Sequence, residues 1–315
     1  MESITENGTE SSMDRYSRQN IVRYLLLTFG LAWILQALAV YFQKDYLYVY
    51  SALLGVSMFA PLISVFLVSG GLKHRKSGVL WKVRLKKNWK WFLLAMFSPL
   101  VLVILGAALY FILFPSQFDA GCSYFTSVAD RGLGDVSPWL LIAAAAVQSA
   151  VFGGLVNMFF AVGEEAGWRG FLTPALSGRF GRTGGLILSG AIWGMWHWPI
   201  IIFAGYEYGT GYWGAPYSGI AVMCLFTAAF GIALTWLYEK SESIWVPALA
   251  HGAANACAAI PVFCTDGKIT GYLFGPYISG LVAGLPLLIL GAVLLFRGTI
   301  KSEAFSEASS SDSDL

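Results

Sequence analysis

Two adjacent glutamates and an arginine lie within an apolar part of the chain, in the segment Gly-Glu-Glu-Ala-Gly-Trp-Arg at 163–169. Two of the three histidines, His197 and His251, follow in equally apolar surroundings, as does Asn255. Ionisable groups at membrane depth cost about 2.5–3.5 kcal/mol each on insertion scales, so they are usually paired or functional. These side chains are therefore the candidates for chemistry.

The residue types suit a peptide hydrolase that uses no serine or cysteine nucleophile. A carboxylate in a low-dielectric region can act as a general base near neutral pH, and a neutral imidazole can help to hold the attacking water. A second imidazole and an amide N–H can donate hydrogen bonds to a developing oxyanion. Glu164, His197, His251 and Asn255 provide these groups. The first three also suit zinc with one open coordination position, so the use of a metal stays open.

Helical spacing assigns the two glutamates to different tasks. Glu165 and Arg169 are four residues apart, in the order that favours an ion pair within one helix. Glu164 points about 100° away from Glu165 on such a helix. We therefore assign Glu165 and Arg169 to a structural ion pair and leave Glu164 free for chemistry. His251 and Asn255, also four residues apart, share one helix face.

A helical hairpin would bring the first two catalytic candidates to one depth. Glu164 precedes Arg179 by 15 residues, and His197 follows Arg182 by 15. Each candidate therefore lies about 22 Å from the turn, at 1.5 Å per residue.

Two features of the chain complicate this hairpin geometry. We expect a helix break near Gly153 and Gly154 and a kink at Pro174. His251 lies only about 12 Å from its own loop, so tilt or a partly buried loop has to absorb the difference in depth.

The elements that position these residues are membrane-spanning helices. The chain has 315 residues, of which 57% are hydrophobic and 12% charged, against about 25% charged in ordinary soluble domains. We predict an all-α, polytopic helical membrane protein with about eight transmembrane helices and no cleavable N-terminal signal. The expected spans are 22–42, 49–69, 91–114, 138–162, 183–204, 216–237, 244–262 and 275–297.

The chain divides into a polar N-terminal segment, 1–20, an integral membrane domain, 21–298, and an acidic, serine-rich tail, 299–315. Of the 20 lysines and arginines, all but three lie on the same side of the predicted topology as the basic segment 73–90. The exceptions are Lys44, Arg131 and Lys268. The positive-inside rule places that segment and both termini in the cytoplasm.

Several other residues receive less specific interpretations. The four cysteines have no paired metal spacing and are interpreted as packing residues. His74 is interpreted as a solvated residue of the basic segment. The loop 206–217 is unusually rich in glycine and aromatic residues, which makes it a candidate substrate entrance.

Three motifs resemble those of the CAAX protease and bacteriocin-processing family (CPBP, or Abi) of intramembrane endopeptidases. The EExxxR motif is present at 164–169 and the HxxxN motif at 251–255. The intervening motif, usually FxxxH, ends at His197 and carries Trp193 in place of phenylalanine. The order of the motifs and the expected eight helices also match. The first 130 residues carry no recognisable signature.

The resemblance implies a membrane-embedded peptide hydrolase, similar to the type II CAAX prenyl endopeptidases. It implies that Glu164 and His197 activate the water and that His251 and Asn255 form the oxyanion site. The expected partners are a peptide or prenylated protein substrate and membrane lipid, and not nucleic acid. Cleavage is expected near the membrane–cytosol boundary of a prokaryotic plasma membrane, in CAAX processing or in bacteriocin or leader-peptide processing. Whether the enzyme is a zinc metalloprotease is left open.

Two other classes of protein are compatible with buried carboxylates. One is a non-catalytic self-immunity or peptide-binding membrane protein, and the other is a transporter or proton relay. The retention of all six motif residues favours an enzyme over a degenerate relative. The absence of an internal repeat weighs against a transporter built from inverted repeats.

Overall fold

The fold is all-α in the part of the chain that the computed structural model describes, which is residues 15–73, 77–129, 136–269 and 271–298. These residues contain helices and turns but no strand, which confirms the predicted fold class. The tail 299–315, most of the N-terminal segment, His74 and Arg131 lie outside the described residues.

Twelve α-helices are numbered here in the described part of the chain. They are α1 Arg18–Phe42, α2 Leu47–Ser57, α3 Ala60–Ser69, α4 Leu85–Leu113, α5 Ser123–Val128, α6 Pro138–Gln148, α7 Gly154–Gly167, α8 Thr173–Trp196, α9 Trp198–Ala204, α10 Tyr217–Ser241, α11 Trp245–Cys257 and α12 Leu285–Phe296. Wide π-helical turns at Ser149–Gly153 and Trp168–Leu172 join α6 to α7 and α7 to α8.

Six helical stretches among the described residues are long and apolar enough to cross a membrane. The fourth stretch, Pro138–Ala204, has 67 residues and covers two of the predicted spans. The last predicted span corresponds to the shorter helix α12. Large apolar side chains such as Leu26 (69% exposed) and Phe152 (68% exposed) point outward, as expected for helices that face lipid. The protein is therefore a polytopic membrane protein.

The long helical stretch folds back on itself at Gly181. This residue has φ 69° and ψ 164°, a left-handed φ that glycine adopts without steric cost. Thr173 and Ser189, each eight residues from Gly181, join the two arms through a hydroxyl–hydroxyl hydrogen bond of 2.8 Å. The hairpin that the sequence predicted is present, and its turn lies within the interval from Arg179 to Arg182.

The first arm of the hairpin differs from its prediction. No break occurs near Gly153 and Gly154, because a π-helical turn carries the helix through this region. The second π-helical turn ends at Leu172, two residues before Pro174, which has no backbone N–H to continue a regular α-helical pattern. The expected kink at Pro174 thus takes the form of a widened turn.

Small residues let α7 and α11 approach closely. A Cβ atom at Gly252 would come within 2.5 Å of the backbone nitrogen of Met158, and one at Gly154 would meet Ala253. Such close approach of backbones is typical of small residues between membrane helices. It brings the motifs that α7 and α11 carry into contact.

The connection between α10 and α11 is buried. A buried loop is one of the two features that could absorb the difference in depth noted for His251. Ser243 and Ile244 have no exposed surface. The backbone N–H of Ile244 donates to the carbonyl of Leu80 at 2.8 Å, and the Trp245 indole donates to the carbonyl of Trp81 at 2.9 Å. The basic segment therefore covers this connection, and α11 starts below the surface.

The two ends of the helix bundle differ in their residues. At the basic end, the Arg179 guanidinium donates to the carbonyl of Tyr16 at 3.0 Å, and Arg84 pairs with Glu242. At the opposite end, the Gln43 amide donates to the carbonyl of Ala204 at 3.0 Å. The described cationic segments thus gather at one end, as the sequence predicted.

Candidate active site

Glu165 lies between a cation and a histidine. Its Oε2 is 3.0 Å from Arg169 Nε, in an ion pair that is not aligned as a hydrogen bond. Its Oε1 accepts a hydrogen bond of 2.8 Å from His251 Nδ1. Both partners and Glu165 itself are buried. The ion pair with Arg169 is present as the spacing indicated, but Glu165 also fixes the His251 ring, which the spacing did not reveal.

Glu164 is held by two indole groups. Its Oε2 accepts hydrogen bonds from Trp193 Nε1 at 2.6 Å and from Trp168 Nε1 at 3.1 Å. Only 2% of Glu164 is exposed. The Arg169 guanidinium lies 4.2 Å from the centre of the Trp193 ring. Trp193 thus connects the carboxylate to the neighbouring cation.

His197 marks the point where α8 ends and α9 begins. Its Nδ1 lies 3.0 Å from the carbonyl oxygen of Trp193, so a neutral ring that donates from Nδ1 leaves a lone pair on Nε2. The Tyr206 ring is nearly parallel to the imidazole, with 6.1 Å between ring centres. Both the ring position and the tautomer are therefore set by neighbours.

A narrow cavity of about 50 Å³, partly open to the outside, joins the second and third motifs. We call it the central cavity. Its lining residues are Trp193, His197, Tyr206, Glu207, Met223, Phe226, Thr227, Phe230, His251, Ala254, Asn255, Ala258, Ile278 and Ser279. His197, His251 and Asn255 therefore share one space, and Asn255 is exposed within the described fold.

The structure does not place Glu164 on the wall of this cavity. Trp193 lines the cavity and donates to Glu164, so the indole lies between the carboxylate and part of the cavity space. The hairpin count predicts one depth for Glu164 and His197, and the contacts of both residues with Trp193 lie outside that prediction. Both residues contact Trp193, one through its indole and the other through its carbonyl.

The candidate zinc ligands do not form a metal site in this arrangement. Among the described residues, no group of three or more His, Cys, Asp or Glu is placed to hold a metal ion. Glu164 accepts two indole N–H groups, and the Nδ1 atom of His251 is bonded to Glu165. The four cysteines are free, and two of them are buried.

Sequence reasoning missed two cavity residues. The motif comparison gives Trp193 only as a replacement for phenylalanine, whereas its indole N–H makes a contact that phenylalanine cannot make. Glu207 lies in the loop 206–217 and lines the cavity. The sequence signal for Glu207 is a single carboxylate within a segment rich in glycine and aromatic residues. That segment is interpreted above only as a candidate substrate entrance.

Comparison with known proteins supports the motif-based resemblance. Residues 146–257, which contain all three motifs, match the family model described as type II CAAX prenyl endopeptidase Rce1-like. This segment is similar to that family. The match confirms the resemblance to type II CAAX prenyl endopeptidases, and it covers the helices from the end of α6 to α11.

One curated relative is the CAAX prenyl protease 2 of Methanococcus maripaludis. It is 30% identical to this chain over 118 residues, which are 35% of the chain. The alignment spans 42% of the length of that relative. The chain thus spans less than half of the length of this curated relative.

Proposed function

We propose that this protein is an intramembrane endopeptidase of the Rce1-like type. The observation that carries the proposal is the central cavity, in which His197, His251 and Asn255 line one space and Glu164 is one hydrogen bond away through Trp193. A peptide bond placed in this cavity meets His197 on one side and His251 and Asn255 on the other, with Glu164 behind the Trp193 indole. The substrate classes considered are a CAAX-type prenylated peptide and a bacteriocin or leader peptide.

Water activation is proposed for Glu164 and His197. The lone pair on His197 Nε2 accepts a hydrogen bond from a water molecule in the cavity, and Glu164 takes the proton as general base. The two indole N–H groups orient the carboxylate and stabilise its charged form. Movement of the Trp193 side chain on substrate entry would give the base access to the water.

Oxyanion stabilisation is proposed for His251 and Asn255. His251 donates from Nε2 when the ring is protonated, and Glu165 Oε1, at 2.8 Å from Nδ1, holds the ring in place. The amide of Asn255 supplies a second donor from the same helix face. Donors fixed in a water-poor cavity stabilise the growing charge on the carbonyl oxygen in the transition state.

The apolar wall of the cavity suits a hydrophobic substrate. Met223, Phe226, Phe230 and Ile278 line it beside the polar groups. An isoprenoid chain or an apolar leader segment would bury these side chains on binding, which is favourable by about 25 cal/mol per Å² of apolar surface. The substrate is therefore expected to be lipid-modified or strongly apolar near the scissile bond.

Membrane orientation links the substrate class to the cavity. Tyr206, Glu207 and Ser279 belong to connections at the end of the bundle opposite the basic segment. A cytoplasmic basic segment would place the cavity at the opposite face of the membrane. Cleavage at the membrane–cytosol boundary instead needs the cavity at the cytoplasmic face. A prenylated cytosolic protein requires that the cavity end face the cytoplasm. An exported leader peptide fits the positive-inside orientation.

The proposal is tested with purified protein and three peptides. They are a farnesylated CAAX peptide, its unprenylated twin and an apolar leader peptide, and mass spectrometry identifies the products. Cleavage of at least one peptide at a single bond is expected, without stoichiometric zinc in metal analysis of the same preparation. Saturable binding of a peptide without any product would instead support the non-catalytic alternative. Stoichiometric zinc that disappears in His251→Ala would refute the metal-free mechanism.

A further inference from the structure

Among the residues that line the central cavity, one carries a carboxyl group, Glu207, and the roles above leave it unused. Glu207 follows α9 and has a left-handed φ of 63°, between Gly205 (φ 66°) and Gly209 (φ 69°). A non-glycine residue in this region costs about 1–3 kcal/mol, and such strain is found most often at functional sites. The loop therefore holds this carboxyl group on the cavity wall at the expense of backbone strain.

Neighbouring side chains fix the position of Glu207. Its Oε2 accepts a hydrogen bond of 2.5 Å from the Ser279 hydroxyl. The Tyr208 hydroxyl in turn donates to the carbonyl of Ser279 at 3.1 Å, which joins the loop to the segment before α12. Tyr206, the preceding residue, stacks on His197. Glu207 is thus oriented within the same cavity as His251 and Asn255.

Peptide hydrolysis needs a proton at the leaving nitrogen, and Glu164, which gains the proton from water, lies behind the Trp193 indole and not on the cavity wall. In the proposed mechanism Glu164 and His197 remove a proton from water, and His251 and Asn255 hydrogen-bond the carbonyl oxygen. The tetrahedral intermediate then expels an amine, and an unprotonated amide anion is a poor leaving group. A proton donor near the nitrogen is therefore required.

We propose that Glu207 is a further catalytic residue, the general acid that protonates the leaving nitrogen. This role rests on the proposed endopeptidase function. In the step, the C–N bond breaks, its electron pair stays on nitrogen, and the carboxyl proton of Glu207 moves to that nitrogen. The hydroxyl of the water stays on the acyl carbon. Glu207 then regains a proton from solvent, while the proton taken by Glu164 and His197 is released, so one water is consumed for each bond cleaved.

The surroundings of Glu207 help it to retain a proton. Burial raises the pKa of the Glu207 carboxyl, and hydrogen bonds from Ser279 and Tyr206 partly oppose this rise. The other titratable groups that face it are the phenols of Tyr50, Tyr208 and Tyr277 and the two histidines of the cavity. Within the described part of the chain, no lysine or arginine lines the cavity.

The test compares two substrates that share one acyl group. The first is the peptide amide found to be cleaved, and the second is the p-nitrophenyl ester of the same acyl peptide, whose leaving group departs without a proton. Glu207→Gln should lower amide cleavage by about 100-fold or more and ester cleavage by less than about fivefold. Glu164→Gln should lower both, since both need the attacking water. Asp266→Asn, which alters an exposed carboxylate outside the cavity, should change neither.

Other outcomes separate this role from the proposed function. Equal losses on amide and ester would show that Glu207 supports the fold or binds substrate, and unchanged rates on both would show that it is dispensable. Either result overturns the general-acid role while the endopeptidase function stands. Retained ester cleavage by Glu207→Gln also shows that this variant folds. If the wild type cleaves neither substrate, the endopeptidase function fails, and the role of Glu207 fails with it.

Discussion

The two adjacent glutamates of the first motif differ in their partners, and the partners define what each can do. Glu164 accepts only neutral indole donors in the hydrogen bonds described above, whereas Glu165 contacts Arg169 and His251. A carboxylate held by neutral donors keeps its negative charge available to attract a proton. A carboxylate paired with a cation mainly orients and stabilises its neighbours. In the proposed mechanism, the base and its supporting ion pair therefore belong to two consecutive residues.

Trp193→Phe tests the indole contact to Glu164. Phenylalanine keeps the aromatic packing and removes the donor, and hydrogen bonds to a charged group contribute about 1.5–3 kcal/mol. We expect a lower melting temperature in detergent and a loss of turnover below about tenfold, because the Trp168 indole still holds the carboxylate. Thermal unfolding and initial rates measure both effects. An unchanged melting temperature would show that the indole bond contributes nothing to stability.

Asn255→Ala tests the oxyanion role. The hydrogen bond to the carbonyl oxygen strengthens as negative charge develops, so its loss should affect turnover more than substrate affinity. We expect the turnover number to fall by about 10²–10³, with little change in apparent affinity. Steady-state kinetics provide the two values. A raised KM with unchanged turnover would make Asn255 a substrate-binding residue instead.

At the scale of elements, the contact between α7 and α11 joins the first motif to the third. Gly252 lies next to His251 and faces the backbone of Met158. The space there is set by backbone atoms, which cannot rotate away as a flexible side chain can. Separation of these two helices would therefore break the hydrogen bond between Glu165 and His251.

Gly252→Ala should damage both stability and activity. The added Cβ would come within 2.5 Å of the Met158 nitrogen, so the helices have to shift. Overpacking of this kind typically costs about 1–3 kcal/mol. The matched control is Gly178→Ala on α8, where no atom lies within 4 Å of the new Cβ. We expect a lower melting temperature and slower cleavage for the first variant only. Equal behaviour of the two variants would contradict the close contact.

Sequence patterns predicted the elements that follow from local rules. Hydropathy indicated the helices, and equal counts from the turn to Glu164 and His197 predicted the hairpin. Contacts between distant segments were not predictable in this way, because Glu165 and His251 are 86 residues apart and no periodicity connects them. The role of Trp193 was not predicted, because the comparison with the FxxxH motif considers only that the residue is aromatic and leaves out its N–H group.

At the scale of the whole molecule, the basic end and the cavity end of the bundle are opposite. The positive-inside rule places the basic end in the cytoplasm. We expect a cysteine at Lys86, an exposed residue of the basic segment, to resist an impermeant thiol reagent in intact cells, and one at Lys44 to react. Both variants are made after replacement of the four native cysteines by alanine. Labelling at position 86 alone would reverse the orientation and make a prenylated cytosolic substrate accessible to the cavity.

The central claim is that this membrane protein hydrolyses a peptide bond with Glu164 as the base. The most direct measurement is the initial rate of product formation, by mass spectrometry, for the wild type, Glu164→Gln and the control Glu242→Gln. Glu242 lies at the basic end and pairs with Arg84 and Lys87. The account predicts a rate at least about 100-fold lower for Glu164→Gln and a nearly unchanged rate for the control. Near wild-type cleavage by Glu164→Gln would contradict the claim.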